Sequence, residues 1–258
     1  MDELENMGNM KSTQVIAVDL DGTLTLTDTL HESVLELVGN KPLFLFLLPF
    51  WLVKGIAYLK LKVAENCVLD VTTLPYNLPL INWLREQKAS GKKIVLCTAA
   101  NVCVAQAVSE HLNMFDDVIA SDANTNLKSV NKRYALEERF GVKGYDYAGN
   151  SIADIEVWAG ASHAIVVNAR GPVQTKASQV TSVSLTFPSE SIKFSDWLRA
   201  FRLHQWLKNL LLFVPLLAAH QFGNIQSLTT LLIAFFSFSF CASSVYITND
   251  LLDLESDR

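Results

Sequence analysis

The chain has 258 residues, half of them hydrophobic and 18% charged, and its mean hydropathy is positive. That composition excludes a disordered chain, and the formal net charge of -5 counts against a nucleic-acid partner. Four cysteines (Cys67, Cys97, Cys103 and Cys241) form no CxxC pair, which argues against a disulfide framework or zinc site and fits a reducing compartment.

Residues 1–13 read as a tail. The run VIAV at 15–18 is a short buried strand, too short for the apolar core of a signal peptide. It leads into Asp19-Leu20-Asp21-Gly22-Thr23. Residues 42–53 (PLFLFLLPFWLV) are apolar, too short to span a bilayer and contain two prolines. They dock on a membrane surface, line a lipid-facing pocket, or pack inside a helical subdomain. Residues 78–88 have helical spacing, and KIVLC at 93–97 reads as a second buried strand followed by Thr98. A helix over 102–114, a strand over 117–120 and a helix over 129–140 stopped by Gly141 follow. A strand near 145–148 enters Gly149-Asn150-Ser151; a short helix over 153–159 and a final strand over 164–167 complete the series. Strands alternating with helices predict a parallel sheet with helices on both faces, its site beyond the carboxyl ends of the strands. A Ser- and Thr-rich linker over 174–194 closes this part.

Asp19 and Asp21 stand two apart at the end of a buried strand, and Gly22 turns the chain. Paired carboxylates there can hold Mg²⁺ against a phosphate. One carboxylate can attack phosphorus and the other can move the proton. Asp19-Leu20-Asp21-Gly22-Thr23 resembles the first motif of the haloacid dehalogenase superfamily of phosphatases. The resemblance implies that Asp19 is the nucleophile, Asp21 the acid/base and Thr98 a phosphate-binding hydroxyl. It implies Lys132 as the charge-offsetting lysine, with Lys128 as the rival. The fourth motif, normally Gly-Asp with a second acid downstream, reads Gly149-Asn150-Ser151-Ile152-Ala153-Asp154. Asn150 and Asp154 would then complete the Mg²⁺ set with Asp19 and Asp21. A Rossmann-like α/β domain over 14–173 is implied, with a helical cap over 24–76.

No Lys, Arg, Asp or Glu occurs from 209 to 249. A polar break at 220–224 divides this stretch into 210–219 and 228–247, which together read as a transmembrane hairpin. A buried hairpin of a soluble core is the alternative. Lys193, Arg199, Arg202 and Lys208 precede the first span and Arg258 follows the second, so both ends are expected in the cytoplasm.

Asp250, Asp253 and Asp257 follow at helical spacing, where acids oppose the helix dipole unless a cation joins them. The segment from Asn249 on resembles the first aspartate-rich motif of UbiA-type prenyltransferases. The upstream run Arg202-Leu203-His204-Gln205-Trp206-Leu207-Lys208-Asn209 is most similar to decaprenyl-phosphate phosphoribosyltransferases. The resemblance covers about 195–258. It implies that Asn249, Asp250, Asp253 and Asp257 hold Mg²⁺ and a diphosphate, and that Lys208 contacts phosphate.

The sequence therefore predicts a phosphatase domain fused to the start of a membrane transferase, cut off after its first acidic motif. The expected partners are a polyprenyl phosphate or diphosphate lipid, a phosphorylated small molecule such as phosphoribosyl diphosphate, and the inner membrane, crossed more than once. The alternatives are a membrane-anchored phosphatase, or a decayed phosphatase fold that docks or regulates.

Overall fold

The computed structural model describes residues 14–122, 125–189, 193–220 and 223–252. The chain divides into two compact units, Met1–Glu190 and Ser191–Arg258. The first runs β1 (Val15–Val18), α1 (Thr29–Asn40), α2 (Leu48–Val53), α3 (Ile56–Asn66), α4 (Leu78–Ala89), β2 (Lys93–Asn101) and α5 (Val102–Leu112). It continues through β3 (Asp117–Ser121), α6 (Val130–Phe140), β4 (Asp146–Gly149), α7 (Ile155–Gly160), β5 (His163–Val167), α8 (Gly171–Val180) and β6 (Ser182–Phe187).

The six strands form one sheet in the order β3-β2-β1-β4-β5-β6, every pair parallel. Alternation along each strand sends side chains to two cores. Ile16, Val18, Ile94, Leu96, Ile165 and Val167 pack against α4 and α5 on one face. Ala17, Val95, Cys97, Ala164 and Val166 meet α6, α7 and α8 on the other. Each fully buried aliphatic side chain of this kind contributes about 1.5–3 kcal/mol. This Rossmann-like α/β sheet brings the carboxyl ends of β1, β2 and β4 to one edge.

The cap lies between β1 and α4 in the chain. Its base is closed by an antiparallel bridge between Thr25 and Tyr76 and by the Leu26 amide donating to the Pro75 carbonyl at 2.8 Å. Helices α1, α2 and α3 fill it. No residue of 42–53 is buried, so this run is not the interior of a helical subdomain.

The expected linker over 174–194 is corrected. Most of it belongs to α8 and β6, and β6 pairs with β5 as an edge strand. Val183, Leu185 and Phe187 are half-buried while Ser182, Ser184 and Thr186 face outward. Ser and Thr on the open face of an edge strand have the composition of a loop, although their spacing has the strand period.

In the second unit, α9 (Phe194–Ala200) and α10 (Leu203–Trp206) precede a 3-10 turn at Leu207–Phe213, α11 (Val214–Ala218) and α12 (Ile225–Leu252). The 28 residues of α12 extend about 42 Å at 1.5 Å per residue, more than the roughly 30 Å of a bilayer core. It is the one helix among the described residues long and apolar enough to cross a membrane. The expected first span over 210–219 differs: it is a 3-10 turn running into the five residues of α11, with Pro215 near its start. Proline supplies no amide donor and sits best in a first helical turn, so it begins a short helix here and does not continue a long one. Within the unit Trp206 Nε1 donates to Ser243 Oγ at 3.0 Å, and Asn209 Nδ2 donates to Ser239 Oγ at 2.8 Å. Ser239 and Ser243 are buried polar groups on an otherwise apolar helix, and these donors satisfy them.

Candidate active site

Beyond the ends of β1 and β4 opens a cavity of about 380 Å³, lined by Asp19, Asp21, Lys60, Lys128, Lys132, Asn150 and Asp154 among others. Asp19 follows the last residue of β1. Its amide is held by the Ala148 carbonyl of β4 at 3.0 Å, which fixes the carboxylate at the strand end. Both hydrogen bonds that the Asp19 carboxylate accepts fall on Oδ1, from the Leu20 amide at 2.9 Å and from Lys132 Nζ at 2.8 Å. Asp21 likewise accepts on Oδ1, from the amide and the hydroxyl of Thr29, each at 2.8 Å.

Lys132 enters from α6 and is almost completely buried. It also donates to the Tyr147 hydroxyl at 2.9 Å, and lies 3.9 Å from Asp154. Tyr147 donates onward to Asp154 Oδ1 at 2.8 Å. Asp154 Oδ2 accepts from the amides of Asn150 and Ser151 and from Ser151 Oγ. Both oxygens of Asp154 are thus engaged, and they hold the turn that carries Asn150.

Burial is the largest influence on Asp19 and pushes its carboxyl up to about 7, against the opposing pull of Lys132. Burial also raises Asp21, reinforced by the nearby charge of Asp28. Burial alone would lower Lys132, but Asp19 and Asp154 together outweigh it and keep the ammonium protonated. The asymmetry is physical: two carboxylates share one lysine, so the lysine gains two partners and Asp19 gains half of one.

Gly22 has φ +73°, and a Cβ there would run into the Asn150 side-chain amide. The glycine is needed both for its left-handed backbone and for its missing side chain. Gly22→Ala is expected to cost about 1–3 kcal/mol, read as a lower thermal midpoint of the detergent-solubilised chain.

The cavity brings together Asp19, Asp21, Lys132, Asn150 and Asp154, residues up to 135 positions apart in the sequence. Lys128 is exposed at the cavity rim, whereas Lys132 makes the ion pair. Thr98 is fully buried, and its Oγ1 accepts the Ala100 amide at 3.0 Å; Ala99 is its neighbour on the cavity wall. Sequence reasoning missed Tyr147 and Thr29. The signal for Tyr147 was a polar-tipped aromatic in a strand two residues before Gly149; nothing marked Thr29. In the second unit Asn249 and Lys208 are exposed. Asp250 pairs with Arg202 at 2.6 Å. Asp253 and Asp257 lie outside the described residues.

The strand order and the cap inserted after β1 decide the architecture. The fold is a parallel Rossmann-like α/β sheet with helices inserted after β1. A protein of unknown function from Bordetella pertussis Tohama I superposes with a TM-score of 0.51, covering 67% of this chain and 99% of its own at 14% identity. A phosphoserine phosphatase with a phospho-aspartyl intermediate analogue aligns over 70% of this chain and 96% of its own, with 16% identity and a TM-score of 0.49. No family model matches the chain. By sequence, the uncharacterized protein y4nM of Sinorhizobium fredii is 35% identical over 242 residues, which is 93% of this chain and 46% of that protein. Decaprenyl-phosphate phosphoribosyltransferase of Mycobacterium tuberculosis is 39% identical over 64 residues, 23% of this chain and 21% of that enzyme. The chain therefore spans less than half the length of the curated relatives it matches.

Proposed function

We propose that the first unit is a Mg²⁺-dependent phosphomonoesterase working through Asp19. The observation that carries this reading is the Asp19 carboxylate at a strand end, 2.8 Å from a buried lysine, with Asp21 on the same cavity. Asp19 attacks phosphorus and forms an aspartyl-phosphate while the ester oxygen leaves. Asp21, whose raised proton affinity suits an acid, protonates that oxygen. It then takes a proton from water as water attacks phosphorus, which frees phosphate and restores Asp19. Lys132 offsets charge on the phosphoryl oxygens and on Asp19.

The donor set fits a hard cation. Asp19 Oδ2, Asp21 and the side-chain oxygen of Asn150 are oxygen groups on one cavity, and such ligands suit Mg²⁺. Bound Mg²⁺ would neutralise the charge between a phosphate and these acids. Asp154 is already committed to its hydrogen bonds and acts by positioning Asn150 and Lys132.

We also infer that the second unit begins a UbiA-type transferase acting on polyprenyl phosphates. The similarity to the phosphoribosyltransferase supports this, as does the Asn249-Asp250 pair at the end of α12. Asp253 and Asp257 would join Asp250 around Mg²⁺ and a diphosphate. Lys193, Arg199, Arg202 and Lys208 before α12 favour a cytoplasmic first unit. The fused chain would then make a lipid-linked product at the membrane and remove its phosphate.

A second reading has its own observation. Asn150 stands where a third carboxylate would hold the cation, which suits a decayed unit that docks or regulates. The test is phosphate release from p-nitrophenyl phosphate by the full chain, titrated with Mg²⁺. The phosphatase reading expects turnover abolished by EDTA. It also expects Asn150→Asp to lower the Mg²⁺ concentration for half-maximal rate by about tenfold, the scale of ligand changes at metal sites. No turnover in either protein at any Mg²⁺ concentration would favour the docking reading.

A further inference from the structure

Among the described residues of the first unit, segment 42–56 of the cap holds the densest run of exposed large apolar side chains. Leu43, Phe46, Phe50, Val53 and Ile56 are between 62% and 89% exposed. Phe44 and Trp51 brace the segment from within, their rings edge-on at 5.7 Å. A soluble monomer rarely leaves so many adjacent large apolar groups in water. The surrounding charge is one-sided. Between Glu36 and Glu65 there is no acid and there are four lysines, in a chain whose net charge is -5. Lys41 and Lys54 bracket the run and are exposed; among the described residues neither meets a carboxylate in an ion pair. Lys54 instead lies 4.8 Å over the Tyr58 ring.

We propose that segment 42–56 inserts into the surface of a bilayer rich in anionic lipid. Apolar side chains would enter the acyl boundary while Lys41 and Lys54 meet headgroup phosphates, the arrangement by which interfacial segments bind. The occupant is named by two observations. Cations flank the apolar run, and the same chain carries α12, long and apolar enough to keep the first unit tethered to a membrane. The segment also adjoins the site. Lys54, Ile56, Tyr58 and Lys60 wall a second cavity of about 360 Å³, and Lys60 lines the Asp19 cavity as well. Lys60 Nζ donates to the Ala99 carbonyl at 2.9 Å and so ties the cap to the end of β2. The consequence for substrate, a phosphate ester carried in the headgroup layer, rests on the phosphatase reading; the docking does not.

The test uses the full chain reconstituted in phosphatidylcholine vesicles, with and without phosphatidylglycerol. Cys67, Cys103 and Cys241 are replaced by serine, and an NBD fluorophore is placed on Phe46→Cys, Val53→Cys or Val142→Cys. Val142 is 67% exposed and follows α6, at the opposite end of the sheet. Probes at 46 and 53 are expected to shift to shorter wavelength and to be quenched by doxyl lipids, more strongly with phosphatidylglycerol. The probe at 142 is expected to stay in water. Phe50→Asp, at a residue 69% exposed, is expected to abolish quenching at 53 without unfolding the unit. Emission at 46 and 53 matching that at 142 would overturn the proposal, and so would equal quenching with and without anionic lipid. A shift that vanishes on diluting protein in lipid would assign the face to a second copy, and a shift without quenching to another protein surface. Either would overturn it. None of these readouts needs turnover, so loss of phosphatase activity and loss of docking are separately visible.

Discussion

Asp19→Asn is expected to reduce phosphate-ester hydrolysis by at least about 10³-fold, the scale on which removal of a nucleophile acts, and to make the protein more stable at pH 8. The second half follows from linkage. The Asp19 carboxyl is raised from 3.8 to about 7, chiefly by burial. The folded chain therefore holds a proton at position 19 between about pH 4 and 7 that the unfolded chain releases. Stability from this group is fully present below about pH 4 and is lost as pH rises through 7. In EDTA the thermal midpoint of Asp19→Asn should stand above that of the parent at pH 8, and the gap should close toward pH 5. Each kcal/mol recovered raises the midpoint by about 2–4 °C in a unit of this size. A gap that is constant with pH would remove the burial argument. Unchanged hydrolysis would remove the nucleophile.

Lys132→Met should be the most damaging single change to the fold. The ammonium is buried, and it is the partner of Asp19, Tyr147 and, at longer range, Asp154. Removing it leaves two buried carboxylates facing one another. Breaking a buried pair in this way costs about 3–5 kcal/mol, which corresponds to a fall of about 10 °C in midpoint on the same scale. The cause can be separated from mere loss of packing. Asp19→Asn placed in the Lys132→Met background should restore more than half of the loss, because it removes one of the stranded charges. Additive losses in the double variant would mean that the pair is not coupled.

The sheet was legible because buried parallel strands are short β-branched runs followed by turn residues, as at 15–18 and 164–167. Asp19 and Asp21 were legible because they stand just past such a run. β6 was not, since serine and threonine alternate with Val183, Leu185 and Phe187 on a half-open edge. Lys132 meets Asp19 from the buried side of α6 while Lys128 precedes that helix at the cavity rim, and spacing alone does not separate the two. Tyr147 and Thr29 act through contacts that periodicity cannot express: one relays between Lys132 and Asp154, the other grips Asp21. Arg202 and Asp250 are 48 residues apart, and the acid spacing alone suggested only a cation as partner. The apolar run at 42–53 was visible in the sequence, but only the folded cap distinguishes an exposed surface from an interior.

The most direct test of the account is to trap the acyl phosphate. The full chain is mixed with Mg²⁺ and p-nitrophenyl phosphate, quenched in acid and treated with borohydride, which reduces an aspartyl-phosphate to homoserine. Mass spectrometry of the peptide containing residue 19 should show homoserine there and nowhere else among the carboxylates of the cavity, and none in Asp19→Asn. Phosphate release with no homoserine at position 19 would contradict the account.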